Sequence, residues 1–240
     1  MNERKVMKKY EIILFDADNT LLDFDADMDA AFEETYYTAG LAAHKPYSKE
    51  LLQSYYAINE SWWRKFEKGK CTKPELYGGR FQEYITLHGF SCDAGELNER
   101  YFINLAKGGR LLPGAMELVK SLAPHYRMYI VTNGNASSQE QRLQRCGLMD
   151  YITDFYVSEA VGAAKPDIRY FRYVFNQIDE PDKTKYLLAG DSLTSDILGA
   201  QNAGIDSIWY NPGALPNVLL KSATYEVRNL DGIKKILLKT

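Results

Sequence analysis

From Tyr126 onward, short apolar runs alternate with helix-length stretches, and this alternation constrains the fold more than any other feature of the chain. Residues 128–131, 154–157, 186–189 and 207–210 read as strands, and 224–227 as a weaker one. Between and after them, 139–146, 167–177, 193–203 and 230–238 read as helices. In the second of these, Ile168, Phe171, Val174, Phe175 and Ile178 recur at helical spacing. An earlier apolar run, Ile12-Ile13-Leu14, supplies one more strand near the N-terminus. Strands alternating with helices of about ten residues predict an α/β fold, a doubly wound parallel sheet with helices on both faces. Ligands of such sheets bind beyond the carboxyl ends of the strands, near the point where the strand order reverses.

Residues 23–112 break the pattern. They hold no convincing strand, and 26–38, 49–67, 73–87 and 94–107 read as four helices separated by Gly, Pro or Ser signals. The expected division is therefore a Rossmann-like core of residues 1–22 and 113–240, with a four-helix cap domain of 23–112 inserted after the first strand. Pro113-Gly114 marks the return, before a helix over 115–122. A length of 240 residues accommodates either one large domain or two modest ones.

The net charge of −3 gives no electrostatic footprint for a nucleic acid polymer or an anionic membrane, so an anionic ligand needs a local positive site. Cys71, Cys92 and Cys146 are widely spaced, with no CxxC or His pairing. This argues against a disulfide framework or a zinc site and points to a cytoplasmic location. The charged start, Met1-Asn2-Glu3-Arg4-Lys5, and the strand-length apolar run behind it fit neither a signal peptide nor a membrane span. Met7 is a candidate second start.

Four polar clusters fall at or just beyond predicted strand ends: Asp16 and Asp18; Thr132-Asn133-Gly134; Lys165-Pro166; and Gly190-Asp191-Ser192, followed by Asp196. Each alone is ordinary turn or helix-cap chemistry. Together they describe a phosphate cradle. Asp16, Asp18 and Asp191 cannot all ionise side by side without a cation, and oxygen ligands of this kind suit Mg²⁺. Lys165 adds a fixed positive charge, Thr132 a hydroxyl, and the amides at the following helix start can meet an anion. A carboxylate in such a cradle can act as a nucleophile for phosphoryl transfer, and one two residues on as acid and base.

The order of these motifs resembles the haloacid dehalogenase-like hydrolase superfamily: Asp16-x-Asp18-x-Thr20, Thr132, Lys165-Pro166, then Gly190-Asp191-Ser192 with Asp196. The resemblance implies that Asp16 is the nucleophile and Asp18 the general acid/base. It implies that Thr132, Lys165 and the Asn133 amide bind the phosphoryl group. Side chains of Asp16 and Asp191 with the Asp18 carbonyl would hold Mg²⁺. Thr20 would brace the loop, and Asp196 would orient Lys165 or bound water. An aspartate at position 18 favours phosphate esters over halide substrates. The stretches Asp16–Phe24, Gly79-Arg80-Phe81, Ile130–Gly134, Ala164–Pro166 and Gly190–Gly199 are similar to the noncanonical pyrimidine nucleotidase subgroup. This implies a 5′-nucleotidase acting on nucleoside monophosphates. A sugar-phosphate phosphatase or a phosphoglucomutase of the same fold is the alternative.

The expected partner is a small phosphorylated metabolite, with the chain a monomer or small homo-oligomer. In the aromatic cap, adjacent Trp62 and Trp63 lie about 100° apart on a helix and cannot both face one narrow core, so either is a candidate to stack on a base. Arg80 is a candidate to reach a substrate oxygen; otherwise it makes an exposed salt bridge. His44, His88 and His125 show no ligand spacing.

Overall fold

A computed structural model describes residues 10–217 and 222–238. Met1–Lys5 and Met7, singled out above, lie outside the described residues. The chain divides into two compact units: residues 1–22, 111–136 and 147–240 form one, and 23–110 with 137–146 the other.

The first unit holds a six-stranded sheet: β1 (Ile12–Phe15), β2 (Arg127–Thr132), β3 (Asp154–Val157), β4 (Tyr186–Gly190), β5 (Asp206–Tyr210) and β6 (Tyr225–Val227). All neighbours pair in parallel, in the order β3-β2-β1-β4-β5-β6. β1 is thus flanked by β2 and β4, and the winding reverses at its side. That is where a doubly wound sheet opens a crevice beyond its strand ends. The helices of this part of the chain are α5 (Ala115–Leu122), α7 (Ser158–Val161), α8 (Ile168–Ile178), α9 (Leu198–Ala203) and α10 (Leu230–Leu238). Ile12, Leu14, Tyr129, Val131, Tyr186 and Leu188 form one buried cluster with Tyr170, Phe171, Val174 and Ile178 of α8 and Ala200 and Ala203 of α9. By strand alternation Ile13, Met128, Ile130 and Leu187 face the other way and are equally buried. Both faces are covered, which explains why the central strands read as unbroken apolar runs.

The second unit contains α1 (Phe24–Thr38), α2 (Lys49–Glu67), α3 (Lys73–His88) and α4 (Ala94–Leu105). Each has a side chain at its N-cap accepting from the first turn: Asp23, Ser48, Thr72 and Asp93, with Thr72 and Glu75 closing a capping box. The core is a run of rings. Phe32 stacks on Tyr55 with centroids 4.3 Å apart, and Tyr55 on Phe81 at 5.2 Å. This unit also takes in residues 137–146, a stretch expected with the sheet. They carry most of α6 (Ala136–Arg145). Fully buried Arg142 donates to Asp27 of α1 at 3.0 Å, and Asp27 also accepts from the Gly109 and Arg110 amides.

The ends of several expected elements shift by one to three residues, as where α6 starts at Ala136 and α1 at Phe24. The helix expected over 193–203 begins as a single π-helical turn, Leu193–Ile197, before α9. The helix expected over 94–107 ends at Leu105.

Candidate active site

Each polar cluster sits where its strand ends. β1 ends at Phe15, and the Asp16 amide continues the ladder onto Ala189 of β4 at 2.9 Å before the chain turns away. The turn is tight: the amides of Leu21 and Leu22 both reach the Ala17 carbonyl at 2.9 Å, and Asn19 takes a positive φ of 58°. Asn is among the residues that accept this conformation readily. Thr20 is brought back so that its hydroxyl donates to Asp16 Oδ2 at 3.2 Å. Thr132 is the last residue of β2, and its hydroxyl accepts from the Gly134 amide at 3.0 Å.

Lys165 is the centre of the arrangement. It is 1 % exposed, and its Nζ donates to Asp16 Oδ1 at 2.6 Å, to Asp196 Oδ1 at 2.7 Å and to the Val131 carbonyl at 2.7 Å. An ammonium has three protons, so its donor capacity is filled. Its backbone is held as firmly. The Lys165 N–H donates to Asn133 Oδ1, and Asn133 Nδ2 donates to the Lys165 carbonyl, each at 2.9 Å. The following Lys165-Pro166 peptide is cis.

β4 ends at Gly190, and a side chain there has no room: a Cβ would lie 2.3 Å from the Asp196 carboxyl carbon. Asp196 is folded back by the π-helical turn, with Oδ2 accepting from the Ser192 amide at 3.1 Å and Oδ1 meeting Lys165. Carboxylate oxygens of Asp16, Asp191 and Asp196 lie within 4.8 Å of one another. Asp18 is half-buried beside them, near enough for its charge to act on Asp16.

The electrostatics follow from this crowding. Burial raises the Asp16 carboxyl to about 7, with Lys165 opposing the rise and Asp196 and Asp18 adding to it. Asp191 is pushed well above the usual carboxylate range by burial and by the charges of Asp16 and Asp196. Burial disfavours the charge of Lys165, but Asp16 and Asp196 together outweigh it and hold the amine above its ordinary value. Three ionised carboxylates against one ammonium would leave two negative charges unneutralised in a buried site. An all-oxygen donor set of this charge fits a hard divalent cation such as Mg²⁺.

The structure therefore brings together Asp16, Asp18, Thr20, Thr132, Asn133, Lys165, Asp191 and Asp196. Its carboxylate cluster differs from the expected one. The expected carboxylates were those of Asp16, Asp18 and Asp191; among the described residues the group within 4.8 Å is Asp16, Asp191 and Asp196, with Asp18 beside it. A residue missed in the sequence is Trp209 of β5, whose indole Nε1 donates to the Asp191 carbonyl at 2.8 Å. No motif marks it; the only signal was an aromatic residue on a neighbouring strand.

The remaining candidates belong to the helical unit. Trp62 lies against Gly79, where a Cβ would come within 2.3 Å of the ring; its N–H donates to Glu83 at 2.9 Å, and Lys65 Nζ sits 4.1 Å from the ring centroid. Trp63 packs edge-on to Phe66. The exposed salt bridge considered for Arg80 is not formed. Arg80 is 2 % exposed, donates to Asn59 and Asn98 at 2.9 Å each, and lies about 5 Å from the rings of Phe81, Tyr101 and Phe102. Amide oxygens and aromatic faces replace a carboxylate as its partners. Among the described residues, no helix is long and apolar enough to cross a membrane.

Comparison with known proteins agrees with the geometry. The haloacid dehalogenase-like hydrolase family model matches residues 10–204. The chain is 40% identical to the pyrimidine 5′-nucleotidase PynA of Streptococcus pneumoniae, covering 91% of each protein. It is 33% identical to the pyrimidine 5′-nucleotidase YjjG of Escherichia coli over 96% of this chain and 99% of that one. The crystal structure of the putative HAD-hydrolase YfnB from Bacillus subtilis, described as bound to magnesium, superposes with a TM-score of 0.89 at 38% identity, covering 96% of this chain and 99% of that one. Fold, motif geometry and sequence agree that this chain belongs to the haloacid dehalogenase-like hydrolases.

Proposed function

We propose that this hydrolase is a Mg²⁺-dependent phosphatase of small phosphate monoesters, with pyrimidine nucleoside 5′-monophosphates as its preferred substrates. The observation that carries the reaction is the placement of Lys165 Nζ 2.6 Å from Asp16, inside a cluster of three carboxylates. A buried ammonium beside a carboxylate neutralises an incoming phosphoryl group and keeps the attacking oxygen directed.

Asp16 attacks phosphorus, the bond to the ester oxygen breaks, and an aspartyl-phosphate forms on Asp16. Asp18 gives its proton to the departing alkoxide. It then takes a proton from water, which attacks the aspartyl-phosphate and releases inorganic phosphate. The Thr132 hydroxyl and the Asn133 backbone amide hold the phosphoryl oxygens, and Lys165, whose positive charge stands beside Asp16, exchanges one of its present acceptors for a phosphoryl oxygen when substrate binds. Thr20 keeps Asp16 oriented through its 3.2 Å hydrogen bond. The side chains of Asp16 and Asp191, with the Asp18 carbonyl, would hold Mg²⁺, which supplies charge neutralisation for the phosphoryl group. Asp196 keeps Lys165 charged and aimed.

The preference for pyrimidine nucleotides rests on the relatives PynA and YjjG, both named pyrimidine 5′-nucleotidases. The experiment is a phosphate-release screen over nucleoside monophosphates and sugar phosphates, with and without Mg²⁺, for the wild type and Asp16→Asn. Mg²⁺-dependent release, highest with pyrimidine monophosphates and lost in the variant, is the expected result. Wild-type turnover by Asp16→Asn would remove the nucleophile, and preferred release from sugar phosphates would remove the substrate class. Conversion of one sugar phosphate into another without phosphate release would make the enzyme a mutase.

A further inference from the structure

Asp191 occupies an awkward position. It is the first residue beyond β4, where the strand ladder gives out, and its carboxylate sits in a cluster with those of Asp16 and Asp196. Like charges at this separation repel, and the repulsion favours swinging the 191–192 segment outward. Ser192 is anchored to the turn that follows it, through its hydroxyl to Thr194 and Ser195 and through its carbonyl to the Asp196 and Ile197 amides, and two further side-chain contacts act on the 191–192 backbone. Asp196 Oδ2 takes the Ser192 amide, and the Trp209 indole takes the Asp191 carbonyl at 2.8 Å.

The Trp209 contact is built into the sheet. Trp209 stands opposite Gly190 in the parallel β4–β5 register and is 3 % exposed. Its ring is therefore fixed by burial on β5 and delivers the N–H one residue past the end of β4. Any buried indole N–H needs an acceptor. Here the acceptor is the backbone of an aspartate in the carboxylate cluster.

We propose that Trp209 is a positioning residue for the cation site: its indole N–H fixes the Asp191 backbone, so that the Asp191 carboxylate stays among its like-charged neighbours. The inference rests on the reading of that cluster as a Mg²⁺ site. The effect of Trp209 passes through the Asp191 backbone. Partners behind the ligands of a metal site fix ligand geometry, and their loss weakens metal binding by about 10- to 100-fold.

The test compares the whole wild-type protein with two variants: Trp209→Phe, and the protein carrying 3-benzothienylalanine at position 209, which keeps the bicyclic shape but replaces the N–H with sulfur. Mg²⁺ binding is measured by calorimetry without substrate, and thermal midpoints are recorded alongside. The expected result is Mg²⁺ binding about 10-fold weaker in both variants. The isosteric variant should keep the wild-type thermal midpoint. In turnover assays the Mg²⁺ concentration for half-activation should rise by the same factor, with kcat restored at saturating Mg²⁺. If Trp209→Phe does not fold, the isosteric variant decides. Wild-type Mg²⁺ affinity in the isosteric variant would overturn the positioning role alone and leave Trp209 as a packing residue. A wild-type protein that binds no Mg²⁺ would overturn this proposal and the metal-site reading together.

Discussion

The side-chain amide of Asn133 closes a two-way clamp on the backbone of Lys165, accepting from its N–H and donating to its carbonyl, each at 2.9 Å. Residues 32 positions apart are thereby joined, and the loop after β2 sets where the lysine begins its reach to Asp16. Asn133→Ala leaves one donor and one acceptor on that backbone to find other partners, each worth about 1–3 kcal/mol if left unsatisfied. The expected outcome is a fall in kcat/KM of about 10- to 100-fold, at ~1.4 kcal/mol per decade, with the protein still folded. Asn133→Asp keeps the acceptor but faces the Lys165 carbonyl with a second oxygen, and it should not rescue. Steady-state kinetics of the two variants check this.

The raised pKa of Asp16 has a sign that can be measured. Its folded value of about 7 lies above the ordinary 3.8, so the fold binds a proton there that the unfolded chain has already released. The contribution to stability is full below about pH 4, declines between about 4 and 7, and is flat above. Asp16→Asn mimics the protonated group. In metal-free buffer the stability of the variant relative to wild type should therefore grow with pH across that window, by up to ~1.4 kcal/mol per unit. Denaturant melts at several pH values test it; a difference independent of pH would mean that Lys165 fully compensates the carboxylate. Because proton and cation compete, Mg²⁺ affinity should rise over the same window and level off above it.

Gly190→Ala is expected to damage the site without removing any charged group. The new methyl would lie 2.3 Å from the Asp196 carboxyl carbon, and Asp196 is pinned by both Lys165 and the Ser192 amide. The carboxyl must move, and overpacking of this kind destabilises by about 1–3 kcal/mol. Loss of phosphatase activity larger than the stability change accounts for is the expected pattern. Retention of both would show that the 190–196 turn can relax.

In the helical unit, Arg142→Ala would leave the Asp27 carboxylate buried and without its cation, though still accepting from the Gly109 and Arg110 amides. Breaking a buried pair from one side destabilises by about 3–5 kcal/mol, and those amides place the expected loss near the lower figure. Asp27→Ala takes away the carboxylate partner of Arg142, which keeps Gln139, and removes the acceptor of the Gly109 and Arg110 amides, and should be at least as damaging. A double-mutant cycle read by denaturant midpoints gives the coupling.

The fold was legible because fully buried parallel strands announce themselves as apolar runs. Ile12–Phe15 and Tyr186–Gly190, buried at every position, differ from the sequence reading by one residue each. The starts of α2, α3 and α4 were legible at Lys49, Lys73 and Ala94, whereas α1 begins at Phe24, two residues ahead of the reading, where the Asp23 side chain caps its first turn. The polar clusters were legible because carboxylates at strand ends are out of place unless used. What stayed hidden depends on contacts that local pattern does not encode. The π-helical turn at Leu193–Ile197 exists where Asp196 turns back toward a lysine 31 residues earlier. Helical period separates Trp62 from Trp63, but it cannot show that Gly79 on another helix clears the space Trp62 occupies. Arg80 was read as a group for a substrate oxygen or an exposed carboxylate because sequence pattern does not show side-chain amides as partners, whereas the fold supplies Asn59 and Asn98.

Within the sheet unit, Leu22 and Leu111 pair across an antiparallel bridge, and the Leu112 amide donates to the Leu21 carbonyl at 2.9 Å. The chain thus departs and comes home through adjoining doorposts. A segment whose two ends are already fastened side by side can be lengthened at little entropic penalty, or exchanged for another of different make. Descendants of this gene could try new helical inserts as interchangeable parts, while Asp16, a few positions upstream of the doorway, stays where β1 puts it.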